Sequence, residues 1–108
     1  VSISSLNNEQ PSDYILNQNY PNPFNPGTVI SYQLGSVSNV SIKVYNILGI
    51  EVSTLVNTRQ NQGMHEVNFN ATVNGIALAG GTYFCRLVAE DLLTGDKFIS
   101  TRTMILLK

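Results

Sequence analysis

Along most of this chain apolar and polar residues alternate with a period of two. Residues 39–45 set Val40, Ile42 and Val44 against Ser41, Lys43 and Tyr45. Residues 28–34 alternate around either Val29 or Ile30, and residues 64–70 turn Val67 and Phe69 to one side. Residues 82–89 alternate around Tyr83, Cys85 and Leu87 or around their neighbours. Side chains of an extended strand point to opposite faces in turn, so this period predicts half-buried strands. No segment of useful length carries a helical period.

Gly and Asn separate the alternating runs. Asn46-Ile47-Leu48-Gly49 predicts a turn, with residues 50–56 returning antiparallel, and residues 61–63 turn the chain again. Residues 74–81 contain Gly75, Gly80 and Gly81 and are read as a loop. Leu93-Thr94-Gly95-Asp96 is a hairpin turn into a last strand over residues 97–108, which ends in the apolar run Met104-Ile105-Leu106-Leu107. About seven short strands with frequent turns predict an all-β fold, an immunoglobulin-like antiparallel sandwich. A small barrel fits the same count, because strand number alone does not fix closure. Residues 1–13 form an arm or linker and residues 14–108 the domain. In an extended arm Val1 and Ile3 point one way, so residues 1–5 are expected to dock as a strand on this sandwich or on a neighbouring molecule.

The segment Asn19-Tyr20-Pro21-Asn22-Pro23-Phe24-Asn25-Pro26 breaks the pattern. Pro21, Pro23 and Pro26 fix φ and remove three backbone donors. The residues before them are pushed toward extended conformations. This predicts a stiff loop pinned by burial of Tyr20 and Phe24 rather than by ladder hydrogen bonds.

Composition narrows the classes of function. The 108 residues suit one domain. Hydrophobic residues make up 43%, enough for a core, and charged residues only 12%. The six Lys and Arg are scattered in sequence and the net charge is −1, which argues against nucleic acid as a partner. No apolar run approaches the ~20 residues of a membrane-spanning helix. Residues 1–10 lack the basic start and apolar centre of a signal peptide, so an export signal is expected upstream, already removed, or read from the other end.

The segment at residues 19–26 resembles the opening signature of the type IX secretion system C-terminal sorting domains, also called Por secretion domains. Four further pieces match in order. Val44-Tyr45-Asn46-Ile47-Leu48-Gly49 resembles the family's Val-Tyr-Asn-x-Leu-Gly turn, and residues 63–71 its central strand. Gly81-Thr82-Tyr83-Phe84 with Arg86-Leu87 resembles its Gly-x-Tyr-Phe-x-Arg-Leu strand, and Met104-Ile105-Leu106-Leu107-Lys108 its terminal Met-Val-Leu-Leu-Lys. The loop over residues 74–80 is longer than the family's usual one. Cys85 stands where an aromatic is common, and Thr103 where a Lys is common. The resemblance implies a non-enzymatic domain that ends a secreted protein and carries it from the periplasm across the outer membrane to the surface or medium. Its partner is then the outer-membrane secretion machinery. The candidate recognition residues so implied are Gly81, Tyr83, Arg86, Leu106, Leu107 and Lys108; the loop anchors are Tyr20, Pro21, Pro23, Phe24 and Pro26.

The chemistry-bearing residues point the same way. His65 is the only histidine and Cys85 the only cysteine, with no partner nearby in sequence; Cys85 is expected to be a small buried hydrophobe. Glu90, Asp91 and Asp96 surround one turn, but their spacing is not that of a calcium loop. The acceptor patterns at Asn39-Val40-Ser41 and Asn70-Ala71-Thr72 are expected by chance in an Asn-rich chain. No catalytic pair, metal set or cofactor cradle is expected. A carbohydrate-binding sandwich would want an exposed aromatic platform, and the chain has no Trp. The main alternative is a self-assembling structural subunit, a surface layer or filament, built by strand exchange through the arm and edge strands.

Overall fold

The computed structural model describes residues 13–107, and the docking expected for residues 1–5 lies outside them. The described chain is all-β, with antiparallel strand pairing throughout. Its strands are β1 (Ile15–Leu16), β2 (Gly27–Leu34), β3 (Ser38–Tyr45), β4 (Glu51–Gln60), β5 (Gly63–Asn70), β6 (Thr72–Val73), β7 (Ile76–Ala77), β8 (Gly81–Asp91) and β9 (Lys97–Leu106). One sheet has four strands in the order β9-β8-β3-β4, the other three in the order β1-β2-β5, and β6-β7 is a small separate hairpin. Six of the seven strands in the two larger sheets lie where the alternation predicts them, and the two-residue β1 is the seventh.

The period of two decides what fills the space between these sheets. In β2 the choice left open by the sequence falls to Ile30, with Thr28, Tyr32 and Leu34 buried beside it. From the four-stranded sheet come Val40, Ile42 and Val44 of β3, Tyr83, Cys85, Leu87 and Ala89 of β8, and Met104 and Leu106 of β9. Phe69 of β5 meets Phe24 edge-on at 5.9 Å. A sheet face of this kind is stabilised by burying alternate side chains, at roughly 25 cal/mol per Å² of apolar surface.

The Pro-rich segment is a strap joining the two sheets. Its first part runs beside β2: Asn17 donates to the Ser31 carbonyl at 3.0 Å, and Tyr20 and Val29 exchange backbone bonds of 2.9 and 3.0 Å. Its second part lies along β9. The Phe24 amide donates to the Ile105 carbonyl and the Leu107 amide to the Phe24 carbonyl, both at 2.9 Å, a parallel bridge. Side chains extend the seam. Gln18 Nε2 donates to the Thr103 carbonyl at 2.7 Å, Arg102 Nε to the Leu16 carbonyl at 2.9 Å, and the Ile105 amide to Asn22 Oδ1 at 2.9 Å. The prolines cannot donate, but their carbonyls accept: Pro21 from Thr28 Oγ1 at 2.8 Å and Pro26 from the Ala71 amide at 2.8 Å.

Two expectations for the strap are corrected. Phe24 is buried, but Tyr20 is 81% exposed. The reason is parity. Tyr20 pairs with Val29, which stands on the outer side of β2, so its side chain turns outward too. The inward position belongs to Asn19, whose buried Nδ2 donates to Thr28 Oγ1 at 3.0 Å and to the Pro21 carbonyl at 3.1 Å. Backbone bonding also holds the strap, which the loss of proline donors had argued against.

A further difference concerns residues 74–81. Part of this loop is the hairpin β6-β7, with Thr72 opposite Ala77 and Val73 opposite Ile76. Its two turn residues, Asn74 and Gly75, have φ of 53° and 78°. Two positive values match a type I′ turn, whose twist suits a two-residue hairpin and which favours Asn-Gly.

Two predictions test this packing. Phe24→Ala removes a buried ring from the seam and is expected to cost ~3–5 kcal/mol of stability in denaturant titration. Tyr20→Ala, at an exposed position, should stay within about 1 kcal/mol. Equal losses would contradict the parity argument.

Burial pushes the Cys85 thiol up from an ordinary 9.0 to about 12. The folded protein therefore keeps this proton where the unfolded chain releases it. That contribution to stability is complete below pH 9 and is lost as pH rises toward about 12. Unfolding titrations between pH 8 and 11 should show a steeper alkaline decline in the native sequence than in Cys85→Ala; parallel curves would contradict the assignment.

Candidate functional site

The last strand sets the axis of the molecule. At the start of β9, Tyr14 stacks on Phe98 with centroids 5.6 Å apart, and its hydroxyl meets Ser38 Oγ at 2.9 Å. At the other end of β9 lie Leu106 and Leu107 beside Phe24. Ten extended residues separate these ends, about 30 Å.

Around the Leu107 end the separated motifs come together. The β3–β4 turn is built by Asn46, whose Oδ1 accepts from the amides of Leu48 at 2.9 Å and Ile50 at 3.1 Å. Gly49 closes it at φ 80°, a region that side chains with a Cβ rarely occupy. The turn leaves Ile47 69% and Leu48 78% exposed. Beside it lies the loop before β8, and the two line an open depression of about 340 Å³ that includes Gly80 and Gly81. Tyr83 braces that loop from below, its hydroxyl donating to the Ala79 carbonyl at 2.6 Å.

The candidate recognition residues divide by exposure. Tyr83 and Leu106 are buried and hold the end together from inside. Gly81 and Arg86 are on the surface, and Leu107 is 52% exposed; Lys108 lies outside the described residues. Of the loop anchors, Phe24 is buried, while Pro21, Pro23 and Pro26 are exposed. The surface of this end is thus made by the turn over residues 46–49, the glycines before β8 and Leu107, and is largely apolar.

The other chemistry-bearing groups are engaged in structure. His65 stacks on Tyr32 at 5.4 Å, and its Nε2 lies 2.8 Å from the Asn61 carbonyl. Cys85 is buried and its thiol protonated. Asp91 Oδ1 accepts from the Leu93 amide at 2.8 Å and the Thr94 amide at 3.3 Å, shaping the β8–β9 turn. The bond from the Leu93 amide, aided by that from Thr94, holds the Asp91 carboxyl below the usual carboxylate range. Among the described residues no three His, Cys, Asp or Glu side chains come together as a metal site. Among the described residues no helix is long and apolar enough to cross a membrane.

One grouping is invisible in the linear sequence. Strand register puts Lys43 beside Arg86, Arg59 beside Asn39, and Lys97 beside Glu90, all on the outer face of the four-stranded sheet. Four of the six Lys and Arg thus share one face. Successive members are 11 to 27 residues apart in sequence, so scatter along the chain says nothing of their clustering across a sheet.

Comparison with known proteins gives the chain its relatives. Among curated proteins none matches. Among solved structures, one reported as PorZ, an essential bacterial surface component of the type-IX secretion system of Porphyromonas gingivalis, aligns at 20% identity with a TM-score of 0.48. The alignment covers 88% of this chain and 11% of that one, so the chain spans about a ninth of its length. The family described as the secretion system C-terminal sorting domain matches residues 18–101. That stretch runs from the strap to the middle of β9 and takes in both sheets, and the chain belongs to this family of sorting domains.

Proposed function

We propose that this domain directs a protein joined ahead of it across the bacterial outer membrane through the type IX secretion system, and that the Leu107 end is the part read. The observation that carries the sorting role is the family match over residues 18–101; that match stops short of Leu107, and the choice of this end rests on the geometry. The geometry supports it in two ways. The motif segments around residues 19–26, 44–49, 81–87 and 104–107 meet at the Leu107 end, although the chain separates them widely. Tyr14, near the start of the described chain, lies at the opposite end of β9, about 30 Å from Leu107. The domain acts in this reading by presenting a folded surface, without catalysis or cofactor. Its destination is the cell surface or the medium, by way of the periplasm. No observation favours the self-assembling subunit.

The test is a reporter protein fused ahead of the chain in a bacterium with a working type IX system. The native chain should send the reporter to the surface or medium. Deletion of residues 97–108 should leave it in the periplasm, but that deletion also removes Met104 and Leu106 from the core. Leu107→Asp is the sharper variant. Leu107 is half exposed, so the loss of stability should be about 1 kcal/mol, short of unfolding, while the exported fraction falls. Normal export of the chain lacking residues 97–108 would contradict the sorting role.

A further inference from the structure

We infer that the outer face of the four-stranded sheet, centred on Arg86, is an interaction surface for an acidic protein partner. The inference rests on the sorting role and deepens it, by giving the machinery a second contact with a stated chemistry.

The first observation is charge. The whole chain has net charge −1, yet this face carries Lys43, Arg59, Arg86 and Lys97 against Glu51 and Glu90. The second is an arrangement that stability alone does not favour. Lys43 and Arg86 are directly opposite on neighbouring central strands, and like charges so placed repel. Lys43 is relieved by Glu51 at 3.4 Å, the one ion pair among the described residues. Arg86 has no carboxylate partner there.

The third observation is what surrounds Arg86. It borders an open depression of about 310 Å³ with Tyr45, Phe84, Ile99 and Thr101. Tyr45 and Phe84 are themselves opposite each other in the register, and Ile99 is exposed. An Arg without an acid, set beside the aromatic side chains of Tyr45 and Phe84, has the composition of a protein-interface centre. The depression reaches Gly49, so the surface adjoins the apolar turn at the Leu107 end.

The occupant follows from the charge pattern. A partner carboxylate over Arg86 would supply the missing counter-charge, while an apolar side chain beside it covers Tyr45, Phe84 and Ile99. A densely anionic surface such as a membrane fits less well. Glu51 and Glu90 interrupt the cations and would repel a continuous sheet of negative charge. A protein can place single carboxylates opposite single cations.

The experiment uses the same reporter fusion, with Arg86→Glu and Arg86→Lys compared with the native chain. Arg86 is exposed on the outer face, so purified Arg86→Lys should unfold at the native denaturant midpoint, and Arg86→Glu, which replaces repulsion of Lys43 by attraction, at that midpoint or above it. Arg86→Glu should lower the exported fraction about tenfold, the loss of roughly one carboxylate–cation contact. Arg86→Lys should restore most of it. A photo-crosslinker at Thr101, directly opposite Arg86, should give a protein adduct during export that Arg86→Glu abolishes. Failure of the native fusion to leave the periplasm would sink the sorting role itself. Export of the native fusion with undiminished export of Arg86→Glu would overturn this surface alone. Equal loss in Arg86→Lys would overturn the charge argument. Flotation of the purified native domain with phosphatidylglycerol vesicles, lost in Arg86→Glu, with no protein adduct at Thr101, would assign the face to a membrane instead and overturn a protein partner.

Discussion

The structure turns on the seam between the strap and the outer edge of β9. An edge strand offers unpaired amides and carbonyls to any passing chain. Here the C-terminal part of that edge is closed by the chain's own earlier segment, through the Phe24 bridge and through Gln18, Asn22 and Arg102. The same segment pairs with β2 of the other sheet at Tyr20. One run of residues therefore ties the two sheets together by hydrogen bonds, while Phe24 fills the core between them. Prolines suit this position. They stiffen the crossing, and the donors they lack are not the ones the seam uses.

The seam also gives the sorting role a physical form. Because the strap holds β9 near its end, Leu107 leaves the domain from a fixed place beside the β8 glycines and the turn over residues 46–49. Residues that the sequence separates by scores of positions become one surface, with Tyr83 and Leu106 supporting it from inside. Around one side of this end lies the cationic outer face. Partner contact at both would read the shape of a folded sandwich rather than a linear signal.

Much of the fold was legible in the sequence because a period of two carries direction as well as existence. Val40, Ile42 and Val44 lie inside as their alternation required, and Asn46 to Gly49 form the expected turn. The misses share a cause. Burial of Tyr20 follows from denying the Pro-rich segment ladder bonds, but its pairing with Val29 supplies such bonds and fixes its side outward. The β6-β7 hairpin was hidden in a glycine-rich loop, although Asn74-Gly75 between Thr-Val and Ile-Ala is a short hairpin signal. The cationic face could not be read at all, since register between β3, β4, β8 and β9 is a property of pairing across the sheet.

The central claim is that the strap locks the end of β9, and backbone hydrogen exchange reads it directly. The amides of Phe24, Ile105 and Leu107 donate to Ile105, Asn22 and Phe24 across the seam. In the native protein these three should exchange slowly and together, and Phe24→Ala should release all three while β3 and β8 amides keep more of their protection. Rapid exchange at the three seam amides in the native protein, at the rate of an open loop, would contradict the account.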